Sequence, residues 1–154
     1  MDSSFAYLFR GLDEGQMKKI LAAGKEITMK KGQQIIKEGQ TANGVYILRS
    51  GAVELMTTVE KGFALPISIL REPGDVFGTS ALVPPHRYSL SARCVEKGML
   101  FCMETSALRK LAAENRDIGC QMMMNLAAYF LERLKETRQE VKIHFKTLLS
   151  STRS

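Results

Sequence analysis

The sequence predicts a mainly β domain with added helices: a jelly roll, or double-stranded β-helix, flanked by an N-terminal helix and a long C-terminal dimerisation helix. Three observations carry that expectation. Short apolar runs separated by glycine and proline turns fill the stretch from Glu26 to Met103. A helical period precedes them, and a narrow heptad-like stripe follows. Many short strands at near-regular spacing fit a sandwich or jelly roll rather than alternating βαβ units.

The first helix is expected after Asp13. Asp13 and Gln16 have the form of a capping box, Met17, Ile20 and Leu21 repeat at helical spacing, and Gly24 is a plausible stop. Strand signals follow in order. Ile35-Ile36 leads to Gly39, Val45 to Leu48 leads to Gly51, and Val53, Leu55 and Thr57 alternate with Glu54 and Met56. Ile67, Ile69 and Leu70 precede the turn Glu72-Pro73-Gly74-Asp75; Leu90, Ala92 and Cys94 alternate again, and Met99 to Met103 forms an apolar run. Thr105 is expected to cap a short helix carrying Leu108 and Leu111. Asn115 is the candidate cap of the long helix, whose seam Met123, Ala127, Phe130, Leu134, Thr137, Val141 steps by four and three residues. A stripe that narrow usually packs against a copy of itself, and the competing expectation is a helix folded back on its own sheet. The boundaries are then 1–114 for the jelly roll with its short helices, 115–146 for the dimer helix and 147–154 for a flexible tail.

Composition sets the remaining bounds. With 154 residues, 45% hydrophobic and 25% charged, the chain suits one soluble domain with one core. Met1 to Phe9 lacks the basic flank and apolar run of a signal peptide, and no apolar stretch spans a bilayer, so a cytoplasmic protein is expected. Cys94, Cys102 and Cys120 are odd in number and far apart, which argues against a disulfide framework and gives no zinc-ligand spacing. The net charge of +6 is spread along the chain and reads as solvated surface. No nucleophile–base pair, metal constellation or Gly-rich strand-to-helix loop appears, so no catalytic residue is expected and no enzyme.

The run Ile35 to Gly51 (IIKEGQTANGVYILRSG) resembles the first signature of the cyclic-nucleotide-binding domain family. The Pro73-Gly74-Asp75-Val76-Phe77-Gly78 approach and the closing helices follow the order of that family, in particular its catabolite-activator and fumarate–nitrate-regulator branch. The resemblance implies a stand-alone sensor domain with a phosphate-binding cassette. In that cassette a glycine precedes a glutamate for the ribose 2′-hydroxyl, and a short helix and an arginine hold the cyclic phosphate.

In Phe77 to Ala92, Gly78, Ala81 and Leu82 match this pattern, but Thr79 stands at the glutamate position. Counting back from Leu90 and Ala92, the arginine position falls on His86, with Arg87 one residue on. Strand alternation would turn Arg87 to the opposite face without a register change. Pro84-Pro85 stiffens a loop shorter than usual, and Tyr88 replaces a small residue. The cassette is therefore degenerate. Thr137 matches the threonine which in the catabolite-activator branch contacts the adenine base. The candidate ligand-binding residues are Gly78, Thr79, Ser80, Ala81, His86, Arg87, Tyr88, Ser89 and Thr137, with cAMP or cGMP as the ligand the resemblance implies.

Three functions remain open at this point. The first is a sensor that binds a nucleotide-like or other anionic ligand and signals as a homodimer to an unidentified protein partner. The second is a ligand-free interaction or scaffold module. The third is a truncated transcription regulator whose helix-turn-helix lies elsewhere. After Val141 too little chain remains for such a domain, so direct DNA binding by this chain is not expected, nor is a membrane role.

Overall fold

The computed structural model describes residues 6–153. Met1 to Phe5 and Ser154, parts of the N-terminal stretch read above as lacking a signal peptide and of the expected flexible tail, lie outside the described residues.

A 3-10 turn at Tyr7–Phe9 leads into α1 (Glu14–Ala22), whose expected capping box is present. The Asp13 carboxylate accepts from the Gln16 amide at 2.8 Å, and the Gln16 side chain accepts from the Asp13 amide at 2.9 Å. Eight strands follow: β1 (Gly24–Met29), β2 (Gln34–Ile36), β3 (Gly44–Leu48), β4 (Ala52–Glu60), β5 (Phe63–Leu70), β6 (Val76–Phe77), β7 (Ser91–Glu96) and β8 (Gly98–Glu104). They form two four-stranded sheets, ordered β1-β8-β3-β6 and β2-β7-β4-β5. All their pairings are antiparallel. This is the jelly roll that the strand pattern predicts. Val45, Ile47 and Leu48 are fully buried in β3, a strand covered on both faces as its unbroken apolar run requires. Gly51 turns the chain from β3 to β4 with φ 84°, and a Cβ there would stand 2.5 Å from the Glu96 carbonyl oxygen, so no other residue fits.

α2 (Thr105–Glu114) and α3 (Arg116–Thr152) close the chain. Thr105 is not the cap of α2. It is the first helical residue, and its buried hydroxyl donates to the Ala42 carbonyl at 3.0 Å. Asn115 does occupy the position before α3, but its side chain points backward. Nδ2 donates to the Leu111 carbonyl, and Oδ1 accepts from Lys19 Nζ at 2.6 Å, joining α1 to the α2–α3 corner.

Ile118, Met122 and Leu126 seat the first turns of α3 on the core. Asn125 fixes that seat by donating to the carbonyls of Leu8 and Arg10 at 2.9 and 2.8 Å. Every residue of the helix from Phe130 onward is exposed. The helix also outruns the expected end at 146, because Phe145, Leu148 and Leu149 keep its period and the Ser151 and Thr152 hydroxyls donate back to the carbonyls of Leu148 and Leu149. The 147–152 stretch is thus helical, where a flexible tail was expected.

Candidate functional site

A cavity of about 450 Å³ opens between the β2-β7-β4-β5 sheet, the 76–90 segment and α3. Its construction starts at Gly78, which ends β6 in the left-handed conformation (φ 81°) and packs close to the backbone of β3. A Cβ at this position would meet the Gly44 carbonyl at 3.1 Å and the Tyr88 ring at 3.3 Å. Only glycine takes both the dihedral and the approach without strain. The chain then makes a 3-10 turn, Thr79–Leu82, that buries Ala81 under the cassette and leaves Thr79 and Ser80 on the cavity wall.

The return segment 86–88 runs antiparallel to 39–42. The Ala42 amide donates to the His86 carbonyl, the Tyr88 amide to Gln40 and the Gly39 amide to Tyr88, all at 2.8–3.0 Å. His86 holds a left-handed backbone (φ 60°) that few non-glycine residues adopt. Its Nδ1 lies 2.9 Å from the Ala81 carbonyl, and the ring borders a separate groove with Glu104, Thr105 and Arg109. That one dihedral supplies the register change on which the position of Arg87 depends. Arg87, not His86, lines the cavity, with Nη1 donating to the Gly39 carbonyl at 3.0 Å. The guanidinium has five N–H donors, so most of its hydrogen-bonding capacity is left for an anion.

Tyr88 is buried and structural at one end. Its hydroxyl accepts from the Gly44 amide at 3.0 Å and donates to the Gly44 carbonyl at 2.7 Å, while the ring forms part of the cavity wall. Burial pushes its pKa up, and the hydrogen bonds from the Gly44 and Asn43 backbone pull the other way. Ser89 also lines the cavity.

Of the nine predicted residues, Gly78, Thr79, Ser80, Arg87, Tyr88 and Ser89 therefore meet in one place. Ala81 supports the wall from beneath, His86 faces another groove, and Thr137 is exposed on α3 with its hydroxyl donating to the Arg133 carbonyl at 2.9 Å. Within this chain Thr137 does not border the cavity.

Sequence reading missed the helical wall. Tyr129, Phe130 and Arg133 reach the cavity from α3, one turn and more before Thr137. Tyr129 stacks on Tyr7 with ring centroids 4.2 Å apart and lies 6.0 Å from the Phe130 ring. Arg133 pairs with Glu136 through Nη1 and Oε2 at 3.1 Å, both side chains about half exposed. The signal was present, since Tyr129 adjoins Phe130, the one aromatic residue of the seam, but nothing in the spacing ties 129–133 to residues 78–89. The remaining wall is apolar and includes Ile36, Leu55, Ile67, Val76 and Leu90. The described residues contain no cluster of His, Cys, Asp and Glu fit for a metal, and no helix long and apolar enough to cross a membrane.

The cavity thus brings Gly78 and Arg87 together with an apolar wall and the two aromatic rings of Tyr129 and Phe130. The sequence pattern of the cyclic nucleotide-binding domain matches residues 26–115, more than half of the chain. The chain belongs to the cyclic nucleotide-binding domain family. Its structure superposes on the catabolite activator protein of Thermus thermophilus with a TM-score of 0.76 and 26% identity, over 90% of this chain and 62% of that one. The N-terminal domain of a transcriptional regulator from Streptomyces coelicolor has the same fold, with a TM-score of 0.70 and 20% identity over 88% and 91% of the two chains. In sequence, the CRP-like cAMP-activated global transcriptional regulator of Mycobacterium tuberculosis is 24% identical over 136 residues, 88% of this chain and 58% of that protein. The chain of this cyclic nucleotide-binding domain spans less than two thirds of the length of the curated relatives it matches.

Proposed function

We propose that this domain is the sensor of a regulator: it holds an anionic, nucleotide-like ligand between the cassette and α3, and reports occupancy through a homodimer formed along α3. One observation carries the reading. Phe130 belongs both to the cavity wall and to the exposed heptad seam. Anything that fills the cavity touches the helix a second copy would pack against.

The chemistry supports an anion. Arg87 presents planar, charge-bearing donors suited to phosphate, while Thr79 and Ser80 offer neutral hydroxyls from the adjacent turn. Tyr129 and Phe130 give a flat base a surface to lie on. The Mycobacterium tuberculosis relative is described as cAMP-activated, which brings cAMP, with cGMP, to this chain as the first ligands to try. A cytoplasmic regulatory role and a further protein partner accord with this reading.

The seam supports the dimer. Leu134 and Val141 are 54% and 53% exposed on a helix that has left the core, and Leu148 carries the stripe on toward its end. Such residues are stable in water only at a modest cost that pairing removes.

Thr79 favours a second reading, a ligand-free interaction module that keeps fold and dimer. Without a carboxylate there, the charge-assisted bond to a ribose hydroxyl is absent, a loss of roughly 1.5–3 kcal/mol. Thermal unfolding of the full chain with cAMP, cGMP, 5′-AMP and 5′-GMP separates the two. The sensor reading expects at least one nucleotide to raise Tm in a concentration-dependent way and Arg87→Gln to abolish that rise. No shift with any of them, at millimolar concentration, would leave the interaction module as the better account.

A further inference from the structure

We infer that the ligand of this cavity carries at least two negative charges, so that a nucleotide bearing a phosphomonoester or two phosphates is preferred over a cyclic monophosphate. The inference rests on the sensor reading and specifies its ligand class. Two arginines enter the cavity from different walls, Arg87 from the cassette and Arg133 from α3, and among the described residues that line it there is no aspartate or glutamate. The other polar side chains on the wall are neutral hydroxyls, such as Thr79, Ser80 and Ser68.

Of the two cations only Arg133 has a carboxylate partner, the exposed Glu136, so a ligand that displaces that partner meets two like charges with its own. A cyclic monophosphate is a diester with a single negative charge and answers only one arginine. A carboxylate at position 79 would bring the cavity's own charge down to match such a ligand, but Thr79 brings none. A phosphomonoester carries about −1.5 to −2 at pH 7 and matches both cations.

Neither arginine is committed elsewhere by a strong bond. Arg87 spends one N–H on the Gly39 carbonyl. The Arg133–Glu136 pair is an exposed i,i+3 contact on one helix, of the kind that solvent screens and that exchanges readily. The aromatic pair Tyr129–Phe130, one turn before Arg133, keeps the body of the ligand aromatic rather than a small dicarboxylate, which would leave the apolar wall wet.

The test is calorimetric titration of the full chain with 5′-AMP, adenosine 3′,5′-bisphosphate and cAMP at one pH near 7.5 and one moderate salt concentration. At least one of the first two should bind roughly ten- to a hundredfold more tightly than cAMP, the effect of one added charge-assisted contact. 5′-AMP as the tighter of the two means the arginines converge on one phosphate; the bisphosphate means they hold two. Arg133→Gln, at an exposed position where folding is not at stake, should pull the ratio to cAMP toward one, while Arg87→Gln weakens every ligand. If cAMP binds as tightly as both, or if the ratio survives Arg133→Gln, the charge inference fails and the sensor reading stands. If none of the three binds, nor cGMP, the sensor reading fails with it.

Discussion

Tyr88 holds the cassette to the jelly roll with a single hydroxyl. That group makes two hydrogen bonds to the backbone of Gly44 at the start of β3, in a place closed to solvent. Tyr88→Phe strands a buried N–H and a buried carbonyl, and about 1–3 kcal/mol of stability should be lost, read as a lower urea midpoint with an unchanged slope. An unchanged midpoint would mean that these groups find other partners.

Tyr46, stacked on Phe77 beside the same turn, has its pKa raised, first by burial and then by its neighbours Cys102 and Tyr88. The folded state therefore keeps a proton that the unfolded chain releases near pH 10. Its contribution to stability is constant below that pH and is lost as pH climbs toward the folded value. The difference in midpoint between the native protein and Tyr46→Phe should be flat from pH 7 to 9.5 and change above pH 10. A difference that already varies between pH 7 and 9 would contradict the assignment.

The identity of the arginine shows where residue-level reading stops. Alternation counted back from Leu90 assumes an extended chain, yet β7 begins only at Ser91, and His86 sits in a left-handed backbone that resets the faces. A histidine at 86 does not by itself announce that dihedral, which is uncommon for any residue other than glycine.

At the scale of elements, the strands were legible because each carries its own period and its own stop. β3 is apolar throughout and buried on both faces, and the capping box of α1 is purely local chemistry. The far end of α3 was not. Ser151 and Thr152 look like tail residues until their hydroxyls are seen bonding back to the helix, and the last turn of a helix is where its boundary is least sharply defined.

The exposed half of α3 yields the clearest element-level prediction. Leu134→Glu with Val141→Glu leaves the buried Ile118, Met122 and Leu126 contacts untouched, so the jelly roll should keep its β circular dichroism. Sedimentation should show the native protein as a dimer and the double variant as a monomer, with about two like charges introduced per helix at the seam. A native monomer, or a double variant that still sediments as a dimer, would remove α3 as the interface.

The cysteines report on the same core. Cys120 is exposed, whereas Cys94 is buried with its thiol pushed up by desolvation. Thiol labelling at pH 8 should modify Cys120 in seconds and Cys94 only at the rate of opening, which denaturant accelerates. Equal rates in the folded protein would contradict a closed β4–β7 core.

At the scale of the molecule, the fold and the family could be read from the first signature, but the site could only be half read. Gly78 to Ser89 lie in one stretch of chain and announce themselves by their pattern. Tyr129, Phe130 and Arg133 join them only because the first turns of α3 are anchored by Asn125 and its three buried apolar residues, which aims the next turn at the cassette. The cavity is thus a property of the assembled domain, and so is the link between ligand and dimer: Phe130 stands in both.

Hydrogen exchange with and without a saturating nucleotide tests that link most directly. Amides of 78–90 and of 126–134 should gain protection together, with no change confined to the separate groove of Glu104–Arg109. Protection in the cassette without any in α3, or in that groove alone, would contradict a ligand held between the two walls.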